Sequence, residues 1–329
     1  MKIFKIFTAI FCAFSVVFSV CFANGKINED KRLEEEKITS NILTIWQIDT
    51  FEGGTKSRRQ FLTDVAKDFE RQNQGVLIMV NSHTIESAEN SFKSGIFPDI
   101  ISYGNGLELK EVTELKADIT FKGGVIEEKN YAVPWCRGGY FLIANPKKVK
   151  SIEDKIQNLI VSQSEFTLPT LALYKEGLLA EKISVYKPLD AYVNFVSGNG
   201  EWLLGTQRDL ERLSRRGMEV LVKPILEYND LYQYVSILSK GEKNIEYAEK
   251  FINLLLSEKY QKKLTDIKMM SAFYEIGYSS PILESEKKIN FLTVPIYVEK
   301  QKIKEIQKEL EFNIKPNEST NLKINKVLI

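Results

Sequence analysis

The sequence predicts an α/β protein built as two domains. Short β-branched stretches alternate with segments whose apolar residues recur at helical spacing, which implies parallel strands with both sheet faces covered. The chain has 329 residues, more than one hydrophobic core ordinarily serves. Near the middle, the segment 131–145 is extended and aromatic and is interrupted by Pro134 and Gly138-Gly139, so the chain is expected to leave one sheet there.

The elements follow in order. Lys2 and Lys5 precede an uncharged apolar run from Ile6 to Ala23, and polar sequence begins at Asn24. That is the order of a secretory signal peptide, with cleavage expected after Ala23. An uncleaved anchor and lipidation at Cys21 are the alternatives, although Phe18-Ser19-Val20-Cys21 lacks the Leu and small residue of a good lipobox. Cleavage removes Cys12 and Cys21 and leaves Cys136 as the single thiol, so neither an internal disulfide nor a cysteine-ligated zinc site is expected. Nothing later in the chain approaches membrane-spanning length, and a soluble mature protein is expected. Residues 24–40 are charged and read as a solvated linker.

Residues 42–46 have strand composition and are followed by the turn Glu52-Gly53-Gly54. Ser57 with Gln60 forms a capping box, and Phe61, Leu62, Val65, Ala66 and Phe69 then mark one face of a helix. A strand is expected at 75–80, a helix at 84–92 and a strand at 98–102 that ends in Tyr103-Gly104-Asn105-Gly106. Beyond the crossing, helical patterns lie near 151–160 and 188–197, a strand at 202–205, and a helix opened by Thr206 with Asp209 as its capping partner. A short strand at 218–222, a returning extended run at 231–238 and helices at 243–257, 258–269 and 299–311 complete the reading.

Composition narrows function. With 45 Lys+Arg against 44 Asp+Glu there is no basic excess to hold a phosphate backbone, so nucleic acid is not an expected partner. His83 is the single histidine and reads as a turn or cap residue, leaving no imidazole pair for a metal or triad; no metal or cofactor is expected. Gly-x-Ser-x-Gly, Walker and dinucleotide glycine patterns are absent.

Ligands of open α/β sheets sit beyond the carboxyl ends of the strands. That rule nominates Trp46, Asp49, Phe51 and Glu52 after the first strand, and Ser102, Tyr103 and Asn105 after the third. It adds Trp135, Arg137 and Tyr140 at the crossing, and Gln207, Arg208 and Asp209 in the second block. Aromatic planes with Arg, Asp and Asn around them suit a polar small molecule. Core packing competes at each tryptophan: it is an even alternative for Trp46 and the preferred one for Trp202, whereas Trp135 beside Pro134 favours a pocket. Arg58-Arg59 reads as a solvated helix start.

The stretches LTIWQIDTFEGGTKSRRQFL, PDIISYGNG, YAVPWCRGGYFLIANP and GTQRDLERL, in this order, resemble the extracellular solute-binding proteins of ABC importers, family 1, the sugar-type group. The resemblance implies a two-lobed periplasmic-binding-protein type II architecture, with lobe 1 at 41–137 plus 233–329 and a short lobe 2 at 138–232. It also implies a ligand, a carbohydrate by the family's habit, held in a cleft that closes about segments near 131–140 and 230–238 and delivered to a transmembrane permease. The nominated residues at 46–52, 102–105, 135–140 and 207–209 fall on loops that line such a cleft. On this reading the protein is exported, periplasmic or surface-associated, monomeric and not an enzyme. Two other classes stay open. Asp49, Glu52 and Asp99 could supply the two carboxylates of a secreted glycoside hydrolase, and the short second lobe permits a sensor or adaptor that keeps the fold without transport.

Overall fold

The computed structural model describes residues 41–273, 291–312 and 318–328, with isolated residues at 15, 19 and 26. Apart from those three positions, the expected signal peptide, linker, Cys12 and Cys21 lie outside the described residues.

The first strand, β1 (Asn41–Ile48), runs parallel to β2 (Val76–His83) on one side and β3 (Ile100–Tyr103) on the other. Between β1 and β2 lies helix α1 (Arg58–Gln72), where the Ser57 hydroxyl accepts the amide of Gln60 and Phe61, Leu62, Val65, Ala66 and Phe69 turn inward. The Gln60 side chain does not complete the expected capping box; its amide bonds Asp64 instead. Helix α2 (Ile85–Lys93), capped by Thr84, covers the opposite face. A small hairpin of β4 (Val125–Ile126) and β5 (Lys129–Asn130) precedes β6 (Val133–Arg137). The sheet is closed by β12 (Tyr232–Ile237), antiparallel to both β3 and β6, giving the order β2-β1-β3-β12-β6.

A second sheet has the order β11-β7-β10-β8-β9. It comprises β7 (Tyr140–Ala144), β8 (Ile156–Ser162), β9 (Ala180–Tyr186), β10 (Trp202–Thr206) and β11 (Leu221–Pro224), with α3 (Pro169–Lys175), α4 (Pro188–Val196) and α5 (Gln207–Arg215) between strands. Each sheet mixes parallel and antiparallel pairs, because in each a strand returns directly from the other sheet without a crossover helix. The α5 start is as expected: the Thr206 side chain and the Asp209 carboxylate cap it reciprocally.

Two segments differ from the sequence reading. Residues 151–160 contain the strand β8, not a helix; Leu159, Ile160 and Val161 are buried on both faces between β10 and β9, and such a run has no alternation to reveal it. The short strand expected at 218–222 is displaced to Leu221–Pro224. The C-terminal helices α8 (Lys300–Phe312) and α9 (Glu318–Asn325) follow, with Lys300 at the start of α8 pairing with Glu89 of the first half. Tyr174 and Lys175 of α3 bond Asn321 and Asn325, and Gln307 donates to the carbonyls of Glu165 and Thr167, all on the second sheet's side. Helices α6 (Glu242–Leu256) and α7 (Glu258–Lys263) do pack on the first sheet, Phe251 meeting Phe69 edge-on at 5.8 Å.

Among the described residues the chain passes between the sheets at 137–140, at 225–231, and within α8 between Lys300, which pairs with Glu89, and Lys304, which pairs with Glu165; beside the second passage the Asn229 amide donates to the Leu292 carbonyl and the Leu292 amide to the Glu227 carbonyl. The base of these passages is not loosely connected. Tyr140, Ile225, Tyr228 and Leu231 are buried in a core that is continuous with both sheets.

Gly54 shows how tightly the β1–α1 loop is held. A Cβ at this position would lie 1.6 Å from the Ile267 carbonyl oxygen, which also accepts the Thr55 amide at 3.1 Å. Gly54→Ala is expected to cost about 1–3 kcal/mol through displacement of backbone on both sides, read as a lowered denaturant midpoint with an unchanged m-value.

Candidate functional site

The loop leaving β1 is organised by one buried cation. Arg58, at the first turn of α1, is 3% exposed. Its guanidinium donates to the Phe51 carbonyl at 2.6 Å and to Gln233 Oε1 at 2.8 Å, pairs with Asp49 at 2.8 Å, and lies 4.4 Å from the Phe51 ring centroid. Arg58 is thus not the solvated helix start that its neighbourhood in sequence suggested. Gln233 carries the network inward, donating to the Ile48 carbonyl and to Ser102 Oγ, which also accepts the Trp135 indole N–H at 2.9 Å.

Asp49 is the outward end of this chain. Its side chain is 60% exposed, fixed by Arg58 and by the Gln47 amide at 2.9 Å, with acceptor capacity left over. It opens into a cavity of about 1190 Å³ between the two sheets. One wall is the β1–α1 loop, including Asp49, Thr50, Phe51 and Glu52. The facing wall comes from the loops after β8 (Gln163, Ser164, Glu165) and β9 (Tyr186, Lys187, Pro188, Leu189). A third wall is α8, through Lys304, Gln307, Lys308 and Glu311.

Beside the cavity the two halves touch. Arg212 of α5 holds both oxygens of Glu52, at 3.0 and 2.7 Å, and Arg208 donates to the Gly54 carbonyl. Arg212 is backed by the Tyr192 ring at 5.5 Å and by Asp209 at 3.5 Å. Farther in, the Phe166 ring packs on Gly106, whose φ of +95° and lack of a Cβ permit the contact; a Cβ there would meet the ring at 2.2 Å.

Of the nominated residues, the structure brings Asp49, Phe51 and Glu52 to the cavity and Arg208 to its edge. The others lie inside. Trp46 is 5% exposed and stacks on His83 at 4.0 Å and on Phe92 at 5.8 Å beneath α2. Trp135 is wholly buried on β6, stacked on Phe61 at 5.5 Å, so the pocket role favoured by its Pro neighbour gives way to core packing. Trp202 packs in the second sheet as expected. Ser102 is the internal acceptor already described, and Tyr103 bonds Ser236 at 3.0 Å with its phenol pushed up to about 12 by burial. Asn105 is 6% exposed. At the first crossing Arg137 donates to the Ser271 carbonyl and lies over Phe291, and Tyr140 donates to Asp230 at 2.6 Å. Gln207 accepts the Gly139 amide at 3.1 Å, and Asp209 is the buried cap of α5. Arg137, Tyr140 and Gln207 brace the passages, and none of the four lines the cavity.

The walls supplied by 163–165, 186–189 and 304–311 were not nominated. Their signal was the strand-end rule itself, which would have pointed to Gln163 and Lys187 had 156–162 and 180–186 been read as strands. Among the described residues no group of three or more His, Cys, Asp or Glu side chains is placed to hold a metal ion, and no helix is long and apolar enough to cross a membrane.

Comparison with known proteins bears on the fold. No family model and no curated protein matches the sequence. Solved structures do match. A chitin oligosaccharide binding protein aligns with a TM-score of 0.60 at 11% identity, over 88% of this chain and 98% of its own. The cyclic alpha-maltosyl-1,6-maltose binding protein from Arthrobacter globiformis gives 0.58 at 11%, over 86% and 96%. The maltose-maltodextrin binding protein of Alicyclobacillus acidocaldarius gives 0.56 at 12%, over 87% and 99%. The chain thus has the two-lobed α/β fold of these proteins over most of its length.

Two expectations follow for stability. Trp135→Ala removes a fully enclosed ring and should lower unfolding free energy by about 3–5 kcal/mol, measured by chemical denaturation. Asp209 and Asp230 are both raised from 3.8 to about 6, chiefly by burial. A carboxyl whose folded pKa lies above its unfolded value makes the native state bind more protons between the two values, so these groups lower stability as pH rises through that window. Melting temperatures from pH 4 to pH 6 should therefore fall less steeply in Asp230→Asn than in the parent protein, whatever the absolute offset.

Proposed function

We propose that this protein captures an oligosaccharide in the cavity between its lobes and delivers it to the permease of an ABC importer. The observation that carries this reading is the cavity: it is lined from both sheets and from α8, and its walls are carboxylates, amides and lysines rather than a catalytic constellation. Such a lining offers directional donors and acceptors to many hydroxyl groups, with the exposed Tyr186 ring and Leu189 as apolar surface. At about 1190 Å³ it exceeds the span typical of drug-sized ligand pockets, which suits several sugar units better than one. Proteins of the same fold named for maltodextrin and chitin oligosaccharide support the same class.

In this reading lobe 1 is 41–137 with 233–273, lobe 2 is 138–232 with the C-terminal helices, and the mature monomer works outside the cell after loss of residues 1–23. Asp49 is the principal hydrogen-bond acceptor of lobe 1, and Glu165, Lys187 and Lys304 face it from the other side. Binding acts by selecting the closed arrangement, since a ligand that touches both lobes favours their approach.

Titration calorimetry against a panel of maltodextrins, chitooligosaccharides and other neutral oligosaccharides tests the proposal, with native mass spectrometry to show that ligand is returned unchanged. Asp49→Ala should weaken the binding found by about 10- to 100-fold, the loss expected for a hydrogen bond to a charged group. Turnover of a glycoside, or no binding across the panel, would overturn it.

A further inference from the structure

We infer that Glu52, Arg212 and Arg208 form an ion-pair latch between the lobes that sets how far the ligand-free protein stays closed. This deepens the function proposed above and rests on it in one respect: both require lobes that move apart.

The latch joins two elements with no sequence proximity. Glu52 lies on the β1–α1 loop of the first sheet, and Arg212 lies 160 positions away on α5 of the second. The contact is two-pronged, each guanidinium nitrogen meeting its own carboxylate oxygen at 3.0 and 2.7 Å, which is the strongest geometry available to such a pair. Both side chains are mostly shielded, Arg212 being 21% and Glu52 28% exposed, so the attraction is screened less than that of an ordinary surface pair.

Arg212 is also held in place on its own side, and the loop that carries Glu52 is fixed through its backbone. The Tyr192 ring lies beneath the Arg212 guanidinium, and Asp209, wholly buried, faces it one helical turn earlier. On the first lobe, Gly54 is pressed against the 267–268 backbone, and its carbonyl takes the Arg208 guanidinium. A preformed cation on α5 therefore meets a carboxylate and a carbonyl carried by a loop whose backbone is fixed at Gly54, which limits the ordering needed when they meet.

The same loop lines the cavity, Glu52 included. One of its carboxylates is thus engaged lobe to lobe, leaving Asp49 as the acceptor that is still mostly exposed. Closure that is partly formed before ligand arrives lowers the cost of the closed state and raises apparent affinity in proportion to the closed fraction.

Small-angle scattering of the purified protein, shown by native mass spectrometry to carry no small molecule, tests this without any ligand. The parent protein should be compact at low salt and expand at about 1 M NaCl, where the screening length falls to about 3 Å. Glu52→Gln and Arg212→Gln should each raise the radius of gyration at low salt and remove its salt dependence, and the double variant should open no further than either single. Should Arg212→Gln fail to fold by circular dichroism, Glu52→Gln decides alone, because its side chain closes no core. One shared scattering curve for parent and variants, or opening by Arg212→Gln with Glu52→Gln still compact, overturns the latch. Normal salt-dependent opening in a protein that binds no saccharide would keep the latch and remove the sugar reading.

Discussion

The first lobe's face of the cavity depends on the burial of a single charge, that of Arg58. A guanidinium taken out of water must find partners for its N–H groups, and leaving any of the inner ones unmet would cost more than the contacts around it return. Phe51, Gln233 and Asp49 meet that demand from three directions. Because Gln233 belongs to β12 and Phe51 to the β1–α1 loop, satisfying the cation also fixes the loop to a strand that arrives 175 residues later. Asp49 is consequently aimed by the core and not by its own loop, which is how a carboxylate at a solvent-exposed position comes to have a defined direction. The chain continues through Ser102 to the Trp135 indole, so the loop that lines the cavity and a fully buried aromatic of the lobe are parts of one polar network.

The topology decides which loops can share that cavity. In each sheet the parallel strands end on the side that faces the other half, and the antiparallel strands are those that have just crossed. Loops after β1, β8 and β9 thus converge without any of them being long. The third passage then brings α8 across the gap. Lys300 at its start pairs with Glu89 of the first lobe, and Lys304, one turn on, pairs with Glu165 of the second. A helix with one end on each half closes the side of the cavity that two lobes alone would leave open.

How much of this was legible in the sequence follows from which signals are local. Ser57 and Thr206 announced helix starts because a cap is a contact between residues three apart, and the alternation of the first hundred residues was sufficient to give the fold class. The strand β8 was not legible, since a strand buried on both faces loses the period of two that identifies it. That one omission removed Gln163, Ser164 and Glu165 from the candidate site. Trp135 and Arg58 failed in opposite directions for a common reason. Whether an aromatic beside Pro lies open, or an arginine in a basic pair lies buried, is decided by residues such as Phe61 and Gln233 that sequence proximity cannot connect to them.

Apolar and polar contacts between the halves are divided by location, and the division has a mechanical consequence. Around the passages the contact is a continuous apolar core with Tyr140, Asp230 and the Leu168 amide bonded inside it, an arrangement that resists separation because opening would expose all of it together. Away from the passages, the contacts among the described residues include the Glu52–Arg212 ion pair, Arg208 on the Gly54 carbonyl, the Lys300–Glu89 pair at the start of α8 and the Phe166 ring on Gly106. Water can replace the polar partners at small net cost. A body that is strong at its waist and weakly joined at its rim turns about the waist when it moves at all. The rim is also where the cavity opens, so the contacts easiest to break are those that stand between the cavity and solvent.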